Sequence, residues 1–137
     1  MCLPIAVKRP EVVLAKGEHL GFEWNIIHND MGFRCGYVRV PKGHPWFDKD
    51  YNDINADVHG GLTFAAMDMP CDKGGPDDGY WVGFDCGHFD DAPDPALPIL
   101  KARKDFALAW VGGVVRSQAY VEEQCRSLCQ QAKEAMP

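Results

Sequence analysis

The sequence predicts an α+β fold: an antiparallel sheet of about four strands with a C-terminal helix packed on one face. Three observations lead there. Two alternating segments, 20–26 and 33–40, flank the turn-forming run His28-Asn29-Asp30-Met31-Gly32 and read as a hairpin. Two more strand-like segments follow, at 57–65 and 80–86. Beyond Ser117, the residues Val121, Cys125, Leu128, Cys129 and Ala132 recur at the spacing of one buried helical stripe. The 137 residues, 46% hydrophobic and 25% charged, suit a single globular domain spanning 1–137.

Taken in order, residues 1–17 form a proline-punctuated lead-in. Leu20, Phe22, Trp24 and Ile26 then alternate with Gly21, Glu23 and Asn25, the pattern of a half-buried strand. Phe33, Cys35 and Tyr37 alternate next, but Val38 and Val40 fall on the opposite parity, so a bulge at Gly36 is expected. Pro41, Pro45 and several turn formers make 41–55 a loop. A third strand is expected near 57–65 and a fourth at 80–86, separated by an acidic, solvated loop at 66–79. After Pro93, Pro95 and Pro98, residues 99–110 suit a short helix ended by Gly112-Gly113. The last helix, 117–135, has Ser117 as its N-cap and Glu122 and Glu123 near its start, where the helix dipole favours them.

Composition excludes several roles. No apolar stretch reaches bilayer-spanning length, and the first ten residues lack the order of a secretory leader, so a cytoplasmic protein with no membrane partner is expected. Six cysteines would suit a disulfide framework, but a reducing compartment argues for thiols, and no C-x-x-C pair suggests a zinc ribbon. Net charge is −6, and eight aspartates lie between Asp68 and Asp94 against one base, Lys73. Such a surface repels phosphate backbones, so no nucleic-acid partner is expected. Phosphate-binding loops, the zincin motif and the nucleophile elbow are absent. The run from Asp48 resembles an EF-hand start but has Asp53 where glycine is needed and His59 where glutamate is needed.

Chemistry concentrates in two strand segments. Side chains two apart share a face, so Asp57, His59 and Thr63 point one way, and Cys86 and His88 point together if the strand stays extended. Asp85 points to the other side. Paired strands would let Asp57, His59, Cys86 and His88 converge, as a Cys–His catalytic pair with Asp57 orienting an imidazole, or as a zinc-type donor set. Set against this, Cys86 continues the face of Val82 and Phe84 as a small core thiol, and Gly60 and Gly61 could make room for an aromatic such as Trp81. A second candidate is the aromatic loop with His44, Trp46, Tyr51, Asn52 and Asp53, suited to ligand or protein contact. In the alternative reading, Trp46 plugs the sheet end and His44 makes a turn hydrogen bond.

These residues form an ordered series: Gly43-His44-Pro45-Trp46, Asp57-Val58-His59-Gly60-Gly61-Leu62-Thr63-Phe64, and Trp81-Val82-Gly83-Phe84-Asp85-Cys86-Gly87-His88. The series resembles an uncharacterised domain of phage and prophage proteins with H-P-W, D-V-H-G-G-L-T-F and W-x-G-F-D-C-x-H signatures. The resemblance covers about 37–131 and implies a phage-encoded accessory protein, with interference in host defence as its context. The resulting expectation is a binding module that sequesters a small ligand or blocks a host protein, using His44, Trp46, Tyr51, Asn52, Asp53, His59, Asp85 and His88. A small hydrolase or transferase built on Cys86, His59, His88 and Asp57 is the alternative. No cofactor is expected, zinc being the one metal the donor set would suit.

Overall fold

The computed structural model describes residues 2–70, 78–101 and 113–137. The described elements run α1 (Pro4–Lys8), β1 (Val13–His19), β2 (Phe22–His28), β3 (Arg34–Val40), β4 (Phe64–Met67), β5 (Tyr80–Asp85), β6 (Asp91–Ala92), α2 (Pro98–Lys101), β7 (Val114–Val115) and α3 (Gln118–Ala135). Five strands form one antiparallel sheet in the order β1-β2-β3-β5-β4, and β6 and β7 make a small parallel pair beside it.

The lead-in at 1–17 is more than a lead-in: it supplies α1 and most of the edge strand β1. Edge position explains why β1 is hard to read, since Lys16 and Glu18 are exposed and clear alternation is missing. Leu20 belongs to a turn, not a strand, because Leu20 and Gly21 both take positive φ and close the β1–β2 hairpin. The expected β2–β3 hairpin is present. Its turn is held by Asn29, whose Oδ1 accepts from the Met31 and Phe33 N–H groups at 3.0 and 3.1 Å.

No bulge interrupts β3 at Gly36, which pairs in unbroken register with Ile26 on one side and Phe84 on the other. The parity change has a different cause: the sheet is covered on both faces. The inner face carries Trp24, Ile26, Val38, Val82 and Phe84 against Val121, Cys125, Leu128 and Cys129 of α3. The outer face carries Ile27, Cys35, Tyr37 and Trp81 against Leu3 and Val12 of the N-terminal segment. Gly36 allows the helix to come close, because a Cβ there would lie 2.5 Å from the Phe84 ring and 2.7 Å from Cys125 Sγ.

The third strand starts later than expected. Residues 57–63 form a loop and β4 begins at Phe64, because Gly60 and Gly61 both adopt positive φ and break the extended chain. The acidic loop is also shorter than 66–79. Met67 ends β4, and the Asp68 side chain is wholly buried on the outer face. Asp68 accepts from Arg39 Nη2 at 2.6 Å, Trp81 Nε1 at 2.8 Å and the Gly79 N–H at 2.8 Å. Residues 71–77, and 102–112 of the expected 99–110 helix and its Gly112 terminus, lie outside the described residues.

Helix α3 forms where the periodicity places it. Ser117 Oγ accepts from the Tyr120 N–H at 3.1 Å, and the buried residues are the five of the stripe. Cys35, Cys86, Cys125 and Cys129 are free and buried, whereas Cys2 is disulfide-bonded, which corrects the expectation of reduced thiols throughout. Cys2 also exchanges two backbone hydrogen bonds with Met69 and so ties the N-terminal segment to the chain beyond β4. Among the described residues no helix is long and apolar enough to cross a membrane.

Candidate functional site

Strand β5 ends at Asp85, and the chain then turns instead of continuing to His88. Two results follow. Cys86 keeps the inner parity and packs in the main core, and His88 swings away from it. Beyond the turn, Asp91 of β6 is 1% exposed. Its Oδ2 accepts from the His88 N–H at 2.9 Å and from His59 Nε2 at 2.8 Å, and its Oδ1 accepts from Arg116 Nε at 2.7 Å. Burial alone would raise the Asp91 pKa. The hydrogen bonds from His59, Arg116 and the His88 N–H outweigh that and bring it below the ordinary carboxylate value.

His59 is held from both sides. Its Nδ1 lies 2.8 Å from the Tyr120 hydroxyl, and its backbone N–H donates to Gln124 Oε1 at 2.9 Å. Since Nε2 faces a carboxylate, it carries the proton, and Nδ1 accepts from the Tyr120 O–H in the neutral imidazole. Tyr120, His59 and Asp91 thus form one hydrogen-bonded chain in which the carboxylate fixes the tautomer and orientation of the imidazole. The Arg116 guanidinium carbon stands 5.5 Å from the centroid of the Tyr120 ring.

The two histidines expected to converge do so, with ring centroids 5.9 Å apart. The His88 ring lies over Gly60, where a Cβ would displace it, and the Gly60 φ of +69° favours glycine by itself. Trp81, expected beside these glycines, packs instead in the outer-face core. His88 Nε2 is 3.5 Å from Asp85 Oδ1 and, though buried as an atom, has no hydrogen-bond partner. Asp85 points to the outer side as expected, where its Oδ2 accepts from Thr63 Oγ1 at 3.0 Å.

The other expected members are placed elsewhere. Asp57 is exposed, and its backbone is clamped by Gln131, which accepts from the Asp57 N–H at 2.7 Å and donates to the Asp57 carbonyl at 2.8 Å. The carboxylate that orients an imidazole is Asp91. Cys86 is 1% exposed, and burial pushes its thiol up to about 12, the opposite of an activated nucleophile. The zinc-type donor set is not assembled, and among the described residues no three His, Cys, Asp or Glu side chains are grouped to hold a metal ion.

In the aromatic loop, His44 is structural. Its Nδ1 accepts from the Trp46 N–H at 3.0 Å, which leaves Nε2–H to donate to the Ala132 carbonyl of α3 at 2.7 Å. Burial lowers its pKa against the opposing effect of that carbonyl. Trp46 is buried in the main core, so neither residue is presented to a ligand. Asn52 and Asp53 remain exposed and Tyr51 half-buried.

Asp91, Arg116 and Tyr120 were not singled out from the sequence. Asp91 sits in an aspartate-rich stretch that reads as solvated, and no spacing links positions 59, 91, 116 and 120. Fold and site together define an α+β domain with a His–Asp–Tyr cluster at one end of its sheet. No family model, curated protein or solved structure matches the chain.

Proposed function

We propose that this protein is a binding module, a phage-encoded accessory domain that holds a small ligand or a host protein where His59, His88 and Tyr120 meet. The observation that carries the reading is Asp91. One buried carboxylate fixes the His59 ring, the Arg116 side chain and the His88 backbone together. The His59 ring, immobilised in this way, loses little conformational freedom on binding, which is how a small surface gains affinity. The phage context rests on the sequence resemblance, and counter-defence is the activity it suggests. The Cys–His alternative gains nothing from the geometry, because the Cys86 thiol is buried and protonated.

The test pairs a melt with a plaque assay. Expressed in defence-bearing hosts, the wild-type protein is expected to raise the plating efficiency of a restricted phage. His88→Ala and Tyr120→Phe should melt like wild type and lose the effect. A wild-type protein without effect across a panel of defence systems, or variants as effective as wild type, would falsify the reading.

A further inference from the structure

Strand β1 forms one edge of the five-stranded sheet, with β2 on one side of it. Which of its backbone groups face outward follows from the hairpin. Only Leu20 and Gly21 separate His19 from its partner Phe22, and both take positive φ, the geometry of a type I′ turn. The residues flanking such a turn exchange both their hydrogen bonds, so His19 faces β2, and by alternation Gly17 does too. Lys16 and Glu18 therefore direct their N–H and C=O groups away from β2, along the open edge. A register shift between Val13 and Ala15 ends the regular edge on the other side, which leaves 15–19 for pairing.

The side chains on this edge are self-complementary. Lys16 and Glu18 are exposed and share the outer face of the sheet. Across their own ladder Lys16 stands opposite Asn25 and Glu18 opposite Glu23, so neither meets an opposite charge there. A second copy of the strand supplies one. With a twofold axis through Gly17, antiparallel pairing sets Lys16 opposite the partner's Glu18 and Glu18 opposite the partner's Lys16. The outward N–H and C=O groups of the same residues meet in that register. An axis through Lys16 or through Glu18 would instead set like charges face to face, which is destabilising. Gly17 brings no side chain to the axis, and α3 packs mainly against β2 and β3, away from this edge.

We propose that β1 is a dimerisation edge, at which a second copy of this chain pairs antiparallel about a twofold axis through Gly17 and extends the two sheets into one. The contact uses the same strand on both sides, so it closes at the dimer. It does not depend on what the His59 cluster binds.

The interface is small, so its affinity is modest, and sedimentation equilibrium should show dimer forming at concentrations below about 1 mM. Lys16→Glu and Glu18→Lys should each weaken dimerisation about tenfold or more, because each sets like charges opposite one another on both sides of the axis. Mixing the two variants should restore a dimer, now a heterodimer, because every pair then joins opposite charges. The double variant Lys16→Glu/Glu18→Lys should likewise dimerise within about threefold of wild type. Both positions are exposed, so the variants should melt like wild type. If one reversal unfolds the chain, the double variant set against the other reversal makes the same comparison. A wild-type protein still monomeric at about 1 mM, a dimer indifferent to both reversals, or a mixture as monomeric as its components would each overturn the proposal.

Discussion

Replacing Asp91 by alanine would leave His59 Nε2, Arg116 Nε and the His88 N–H facing a buried position with no acceptor. Breaking a buried ionic network by removing one partner costs about 3–5 kcal/mol. Asp91→Ala is therefore expected to lower the unfolding free energy by about that much in urea titration. His59→Ala, which leaves Asp91 still paired with Arg116 Nε and the His88 N–H, should cost clearly less. Comparable losses in the two variants would show that the imidazole, and not the carboxylate, anchors the cluster. His44 gives a separate signature at the same scale. Its folded pKa lies below the ordinary value of about 6.5. As pH falls through 6.5 the unfolded chain takes up a proton that the buried ring resists, so stability is full above that pH and declines below it. Asp68 and Asp91, both held below the ordinary carboxylate value, lose their contributions only in stronger acid, as pH falls below the unfolded carboxylate range. The melting temperature should thus fall between pH 7 and 5, and His44→Gln should flatten that slope. An unchanged slope in the variant would assign the titration to another group.

At the scale of elements, α3 is the piece whose failure the inner face cannot absorb. Leu128 is fully buried among sheet residues, and Leu128→Asp would set an unpaired charge there. The expected outcome is loss of the cooperative melt, read by circular dichroism. A melting temperature within a few degrees of wild type would mean that the stripe does not face the sheet. This helix was legible in the sequence because its stripe is long, periodic and preceded by a capping serine, all local signals. The β2–β3 hairpin was legible for the same reason. Edge strand β1 was not, since Lys16 and Glu18 face water, and the start of β4 was not, since glycine permits but does not dictate the positive φ that Gly60 and Gly61 adopt. The site divides along the same line. His59 and His88 were singled out by a strand parity that neither segment has, since 57–63 is a loop and β5 ends at Asp85, and their partners Asp91, Arg116 and Tyr120 come from separate elements that only the assembled fold brings together. Burial likewise decided Cys86, whose alternation with Val82 and Phe84 already pointed into the core.

For the whole molecule, two covered sheet faces divide the labour. The inner layer, closed by α3, supplies most of the core and ends at the His59 cluster, while the outer layer is closed by the short N-terminal segment and leaves a cleft beside Asn25. The order β1-β2-β3-β5-β4 also bears on how this molecule reaches its native state. The first three strands are neighbours in both chain and sheet, so they can pair through short loops on a microsecond timescale, about 1–10 μs for a hairpin. Strand β5 must then insert between β3 and an edge strand that precedes it, and α3 follows all five strands in sequence. Such non-local pairing slows the search, and refolding in about milliseconds to seconds is expected, not the microseconds of a helical bundle. Stopped-flow measurements should find that Asn29→Ala, which loosens the β2–β3 turn, mainly slows folding. Leu128→Ala, on the helix that docks afterwards, should mainly speed unfolding. The reverse assignment would mean that α3 recruits the meander and that the turn at Asn29 closes late.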